Sequence, residues 1–411
     1  MKHLSIFLGK SIQKLTSLKK TGGSALPGLV VEKTDPKFIG KILSKLPYGV
    51  VVVSGTNGKT TTTKVISELF EKNGLKVFTN KTGSNFVRGV ISAILKNIKL
   101  TGKFDYDIAV LELDEAHAVK FSEVAPIDYA LLLNVQRDQL DRFGEIDHTA
   151  DLLQKIASKT KKTTILNRED PRVSKIKAKN TKFFGLSKEM LDKFPSDDNL
   201  IEKSEVKVSN QPAAVILKNL KGNTATYQIG EESESVDLEL KGIYNAYNVA
   251  GALALVAEVL KDKNPKELVG ELKDIKSAFG RGEVLKVGDT EVEILLVKNP
   301  SAFQLSLASF VDKDHDYMIA INDNIADGRD VSWLWNVDFS GLKNVKVVSG
   351  IRATDMALRL KYDNVEFGEV EEDLEKAIRK LVKSGPNKKR IFTTYTAMLE
   401  IRKIISGRSL L

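Results

Sequence analysis

A β-branched apolar run, Val50 to Val53, leads directly into Gly55-Thr56-Asn57-Gly58-Lys59-Thr60-Thr61-Thr62. Val65, Ile66, Leu69 and Phe70 follow at helical spacing. A short continuous apolar run bounded by glycine reads as a buried strand, and spacings of three and four read as one face of a helix. The alternation continues downstream. Strands are predicted at Lys76–Thr79, Ile108–Leu113, Tyr129–Asn134 and Thr163–Asn167, with helical patterns between them. Strand and helix alternating in this way predict a parallel sheet with helices on both faces. Residues 187–237 break the pattern: they are polar, with short alternating stretches at Ala213–Leu217 and Ala225–Ile229. They predict a small antiparallel excursion or a flexible insertion. From Gly242 to Val259 a strong helix returns, with Asn248, Ala252, Leu255, Val256 and Val259 at helical spacing.

A boundary falls near Phe279-Gly280-Arg281-Gly282-Glu283, where two glycines flank an arginine and suit a hinge. Beyond it strands are predicted at Val292–Val297, Tyr317–Ile321, Val345–Ser349 and Arg390–Thr394. Helices are predicted at Ala353–Leu360, Leu374–Lys383 and Tyr395–Ile405. The chain thus divides into an N-terminal segment (residues 1–40) packed on a central domain (41–280), and a smaller C-terminal α/β domain (284–411). A length of 411 residues allows two or three such cores. Met1 to Lys20 read as an amphipathic helix without the long apolar stretch and cleavage site of a signal peptide. Such a helix packs on a domain or touches a membrane surface.

Composition narrows the chemistry. With no cysteine, disulfides, thiolate metal sites and a cysteine nucleophile are excluded. Four histidines leave little for a His-rich metal centre. No apolar run approaches the roughly 18 residues of a membrane span. The net charge of +9 is scattered, which suits a solvated surface, an anionic substrate or anionic lipid headgroups. No helix-turn-helix, zinc-finger or aromatic-basic pattern is present, so no nucleic-acid partner is expected.

The glycine loop carries the clearest chemistry. Gly55, Thr56, Asn57, Gly58, Lys59, Thr60 and Thr61 stand where a strand meets a helix N-terminus, so their N–H groups can converge on phosphate oxygens. Lys59 reaches the terminal phosphates of ATP, and the Thr60 hydroxyl ligates Mg²⁺. The common P-loop carries its first glycine at position 53; Val53 makes this loop a variant, tighter at its start.

Three acidic clusters follow strands. In Leu111-Glu112-Leu113-Asp114-Glu115, Glu112 stands at the carboxyl end of a strand, where ligands bind in open α/β sheets, and can hold the same Mg²⁺. Asn134 to Arg142 suggests either a phosphate edge or a salt-bridged loop. Asn167-Arg168-Glu169-Asp170-Pro171 also fits an ordinary turn. Asn245, at the opening of the 242–259 helix, can pair with an adenine edge or cap the helix. In the C-terminal half, Asn322 to Trp333 concentrates polar residues after a strand. A calcium loop fails there, since the twelfth position counted from Asp323 is Leu334 rather than glutamate.

Together these motifs resemble the Mur ligase superfamily and, within it, the MurT-like family. The glycine loop matches the superfamily's ATP loop, Asn245–Asn248 its asparagine motif, and Gly280-Arg281-Gly282-Glu283 its linker arginine motif. The narrower match rests on Ala25-Leu26-Pro27-Gly28, Arg137-Asp138-Gln139-Leu140-Asp141-Arg142, Lys298-Asn299-Pro300, Ala326 to Trp333 and Thr394 to Leu399. The resemblance implies a Mur ligase-like central P-loop ATPase domain with a parallel sheet, and a smaller Rossmann-like C-terminal domain. It implies a cytoplasmic ATP- and Mg²⁺-dependent carbon–nitrogen ligase of peptidoglycan biosynthesis, peripheral at the inner membrane face. That enzyme amidates the D-glutamate α-carboxyl of the lipid II stem peptide through an acyl phosphate. Ammonia comes from a GatD-like glutamine amidotransferase subunit in a heterodimer. Arg281 takes a nucleotide contact, and an acid of the second domain completes the partner's Cys-His pair. Asp327 is the first choice for that acid, with Asp330 and Asp323 behind it.

The sequence departs from the family at several points. Typical MurT-like chains carry a four-cysteine zinc ribbon in the central domain; this chain has no cysteine, so no zinc site is expected and residues 187–237 stand in its place as a metal-free excursion. Amino-acid-adding Mur ligases place His where Gln139 stands, and a carbamylated lysine where Leu153 stands, with Lys155 two places off. The competing readings are a stand-alone Mur or folylpolyglutamate-like amino-acid ligase and a non-catalytic ATP-binding scaffold.

Overall fold

The computed structural model describes residues 2–18, 25–80, 86–136, 146–191, 194, 211–276, 281–385 and 388–407. Its first sheet is built from β1 (Gly49–Ser54), β2 (Val77–Thr79), β3 (Ile108–Glu112), β4 (Ile127–Leu132), β5 (Thr160–Asn167), β6 (Thr181–Leu186), β7 (Val215–Lys221), β8 (Thr224–Ile229) and β9 (Glu232–Asp237). The strand order is β2-β3-β1-β4-β5-β6-β7-β8-β9. Pairing is parallel from β2 to β7 and antiparallel from β7 to β9. Every residue of β1 is buried, as a central strand covered on both faces requires. Val51 and Val53 face one core, with α4 (Lys59–Lys72) and later α8 (Ile243–Val259). Val50 and Val52 face the other, with α3 (Phe38–Leu43), α5 (Val87–Asn97), α6 (Glu115–Val124) and part of α7 (Ile146–Lys159). Within α7, Leu153 is fully buried in this second core.

The polar stretch 187–237 contains antiparallel strands, and they are continuous with the main sheet. Its β7 pairs in register with β6, and β8 and β9 then extend the same sheet as a meander. Leu217, Tyr227 and Val236 point into the first core, so alternate positions are apolar and the rest polar. Strand β6 gives no sequence signal, since Thr-Lys-Phe-Phe-Gly-Leu shows neither clean alternation nor a long apolar run.

The second sheet orders β10 (Arg281–Val287), β11 (Thr290–Leu296), β12 (His315–Ala320), β13 (Val345–Ser349), β14 (Phe367–Glu371) and β15 (Lys388–Thr393) as β10-β11-β15-β12-β13-β14. Only β10 is antiparallel to its neighbour. Helices α9 (Pro300–Phe310), α10 (Ala353–Tyr362), α11 (Leu374–Lys383) and α12 (Tyr395–Ser406) cover its two faces. Edge strands β10 and β14 are not evident in the sequence, since their charged, half-exposed residues give little apolar signal.

At the N-terminus, α1 (Lys2–Leu18) and α2 (Leu26–Thr34) pack beside α5. Among the described residues no helix is long and apolar enough to cross a membrane.

Candidate active site

The glycine loop lies between β1 and α4, at the carboxyl edge of the first sheet. Gly55 and Gly58 have φ of 127° and 90°, a region that only glycine enters cheaply. A Cβ on Gly58 would also stand 2.4 Å from Asn248 Oδ1, so α8 closes directly on the loop. The loop is held open by side chains past the next strand. Asn134 Oδ1 accepts from Asn57 N at 2.8 Å, and Asn134 Nδ2 donates to Asn57 O at 3.0 Å. Thr56 Oγ1 accepts from Gln136 N at 3.0 Å.

Lys59 Nζ donates to Gly55 O at 2.7 Å and pairs with Asp114 at 3.2 Å, with Glu115 at 3.9 Å. Thr60 Oγ1 donates to Glu112 Oε1 at 3.0 Å. The hydroxyl and carboxylate read separately as Mg²⁺ ligands therefore share one spot, from helix α4 and strand β3. Asn80 fixes Glu112 in place: its amide donates to Glu112 O at 2.7 Å and accepts from Glu112 N at 3.0 Å. Hard oxygen donors of this kind at a P-loop helix N-terminus fit Mg²⁺.

Asn245 is buried in the first turn of α8, at 1% exposure. Its Nδ2 donates to Lys241 O at 2.7 Å, while Oδ1 is buried without a hydrogen-bond partner. An unpaired buried acceptor is costly, and an exocyclic amino group of a base would satisfy it. The backbone of Arg281 opens β10. Its side chain lies outside the described residues, as do Arg137 to Arg142, including Gln139.

The second domain reaches the same loop. Lys298 Nζ donates to Thr56 O at 3.0 Å. The Asn57 and Asn299 amides pair reciprocally at 3.2 and 3.1 Å. Asn299 also caps α9 through Ala302 N, so the helix start and the contact depend on one side chain.

The Asn322–Trp333 stretch divides its acids by role. Asp327 is 7% exposed and accepts from Thr396 N at 2.7 Å, from Thr396 Oγ1 and from Asn324 N at 3.1 Å. It ties the loop to the N-terminus of α12, and burial raises its pKa. Asp323 is held by Arg352 at 2.9 Å. Asp330 is exposed, and its hydrogen bonds with Ser332 hold its carboxyl below the usual range. Asp170, in the third acidic cluster, accepts from Val135, Arg172 and Val173 N–H groups and serves the turn.

Asn80 carries no motif in the sequence, while Asn134 and Asn299 stand there only as members of longer motifs, without a positioning role. Each lies just past the carboxyl end of a strand of a parallel pair, and that position was the available signal.

Comparison with known proteins agrees with this geometry. A family described as "Mur ligase middle domain" matches residues 53–256, and "MurT ligase C-terminal" matches 296–398. The chain is 30% identical to the lipid II isoglutaminyl synthase (glutamine-hydrolyzing) subunit MurT of Staphylococcus aureus strain COL, over 92% of this chain and 91% of that one. It is 28% identical to the Streptococcus pneumoniae R6 subunit of the same name, over 94% and 93%. Among solved structures, Thermotoga maritima MurF ligase in complex with ADP superposes with a TM-score of 0.70 at 20% identity, covering 92% of this chain and 85% of that one. A pseudomurein peptide ligase type C from Methanothermus fervidus gives 0.67 at 18% identity, covering 88% and 79%. The chain has the Mur ligase fold and belongs to the MurT family.

Proposed function

We propose that this chain is the synthetase subunit of a glutamine-dependent amidating ligase, converting the D-glutamate α-carboxyl of the lipid II stem peptide to the amide. The observation that carries the reading is the meeting of Thr60 and Glu112 at the helix start that Lys59 opens, with Lys298 of the second domain donating to the same loop. Two cations beside a cradle of loop N–H groups suit a triphosphate next to a carboxylate substrate.

In this reading ATP is a substrate. A carboxylate oxygen attacks the γ-phosphorus, ADP leaves, and an acyl phosphate forms. Ammonia then attacks the carbonyl carbon; after loss of a proton, phosphate leaves with the former carboxylate oxygen. Lys59 binds the transferring phosphoryl group, and Thr60 and Glu112 would hold Mg²⁺, which would neutralise phosphate charge. Asn245 orients the base through Oδ1, and Arg281 contacts the nucleotide from the linker. Closure of the second domain through Asn299 and Asn57 keeps water from the activated carboxyl.

Ammonia is supplied by a GatD-like glutaminase subunit, whose Cys-His pair an acid of this chain completes. Exposure favours Asp330 for that role over Asp327, whose oxygens already hold the loop to α12. The complex works on the cytoplasmic side of the membrane that carries its lipid substrate.

The test is purification with the glutaminase and incubation with ATP, glutamine and lipid II. Mass spectrometry should show a stem peptide lighter by the difference between a hydroxyl and an amino group. An unchanged stem peptide, with product appearing only when a free amino acid is added, would contradict the reading.

A further inference from the structure

Helix α1 is amphipathic in an unusual sense: its inner face is fully used and its outer face is bare. Ile6 is completely buried, Ser5 Oγ donates to Asp35 at 3.0 Å, and Gln13 Nε2 donates to Ser92 O at 3.4 Å. Gly9 lies against Leu95 and Val31, where an added Cβ would stand 2.6 Å from the Leu95 side chain. These four positions form one face by helical spacing. The opposite face carries Leu4 at 70% exposure, Phe7 at 64%, Leu8 at 36% and Leu15 at 63%. Positions 4, 7, 8 and 15 make a single stripe at spacings of three, four and seven.

The charge around that stripe says what covers it. Met1 to Lys20 contain five lysines and no acidic residue; the first acid is Glu32. Lys10 and Lys14 lie four apart along one edge of the stripe, next to Phe7 by helical spacing. Large apolar side chains bordered by lysines, on a chain of net charge +9, match an interface with anionic headgroups above acyl chains.

We infer that α1 is a membrane-contact helix, laying Leu4, Phe7, Leu8 and Leu15 into the surface of an anionic bilayer with Lys10 and Lys14 at the headgroups. Its use, bringing the ATP site to a lipid-linked substrate, rests on the function proposed above; the binding does not. One helix of this kind gives reversible attachment, so the chain exchanges between membrane and solution.

The test uses the full chain without ATP or lipid II. It is sedimented with vesicles of phosphatidylcholine alone and with vesicles containing phosphatidylglycerol. The chain should pellet with the second and stay in solution with the first, and added salt should release it. The Leu4→Ser, Phe7→Ser double variant should lower the partition coefficient by at least about tenfold while keeping its circular dichroism, since both side chains are exposed. Lys10→Gln with Lys14→Gln should weaken binding and flatten its salt dependence.

Three results would overturn the inference. They are no sedimentation of the native chain with phosphatidylglycerol vesicles, equal sedimentation of the serine variant, or a Phe7-dependent dimer in size exclusion. Failure here is separable from failure of the proposed reaction. A chain that amidates a detergent-solubilised substrate yet ignores vesicles loses only this helix role. A chain that binds vesicles and never amidates keeps it.

Discussion

Replacing Lys59 with alanine is expected to abolish amidation whether glutamine or free ammonium supplies the nitrogen. The Lys59 ammonium is held over the loop by Gly55 O and Asp114, one residue before the Thr60 hydroxyl that meets Glu112. Removing a positioned charge from a developing phosphoryl transition state costs on the order of a thousandfold or more in rate. The β-strand before the loop and the helix after it do not depend on this side chain, so the variant should fold. Steady-state assays with each nitrogen source and a thermal melt separate the outcomes. Retained turnover in a folded variant would return the chain to the scaffold reading. The loss should be equal with both nitrogen sources, because activation of the carboxyl precedes the entry of ammonia.

The second large effect divides those two sources. Asp330→Asn should lower glutamine-driven amidation by about a thousandfold to ten-thousandfold, the size of effect seen when a triad acid loses its charge. Ammonium-driven amidation should stay within about twofold of the native rate, since substitutions on exposed positions barely disturb a fold. The Asp330 carboxylate is exposed, and its hydrogen bonds with Ser332 lower its pKa further. Asp327→Ala provides the contrast. It strips the acceptor from the part-buried Thr396 and Asn324 N–H groups and should cost about 1 kcal/mol of stability. A melt detects that loss. If Asp330→Asn impaired both nitrogen sources equally, the acid would belong to this chain's own reaction. If it impaired neither, the triad role would pass to another acid.

Much of the fold was legible because its central strands are continuous apolar runs. Val50 to Val53 has no polar interruption, and the helix after it keeps a regular apolar face. The legibility faded at sheet edges. β10 and β14 present half-exposed, charged residues, and β6 mixes lysine and threonine with paired phenylalanines. The 187–237 stretch shows its antiparallel strands in the alternation at 213–217 and 225–229, but not that β7 pairs with β6 and brings them into the main sheet and core.

The site shows the same division. Lys59, Thr60 and Glu112 were readable because each lies at a fixed offset from a strand end. The asparagines that position them were not. Asn80 and Asn134 act through backbone groups of other elements, and such contacts leave no spacing pattern within one stretch of sequence. Asn299 was noticed only as part of Lys298-Asn299-Pro300; its pairing with Asn57 spans 242 positions. The Asp327 and Asp330 roles depended on burial, which a dense polar run conceals.

The central claim is that ATP is spent on the substrate's own carboxyl, and isotopic labelling tests it most directly. Lipid II carrying oxygen-18 in the D-glutamate α-carboxyl would be incubated with the complex, ATP and glutamine, and the released phosphate analysed by mass spectrometry. Transfer of one labelled oxygen into phosphate for each amide formed is the predicted result. Amide formation accompanied by unlabelled phosphate would contradict the account.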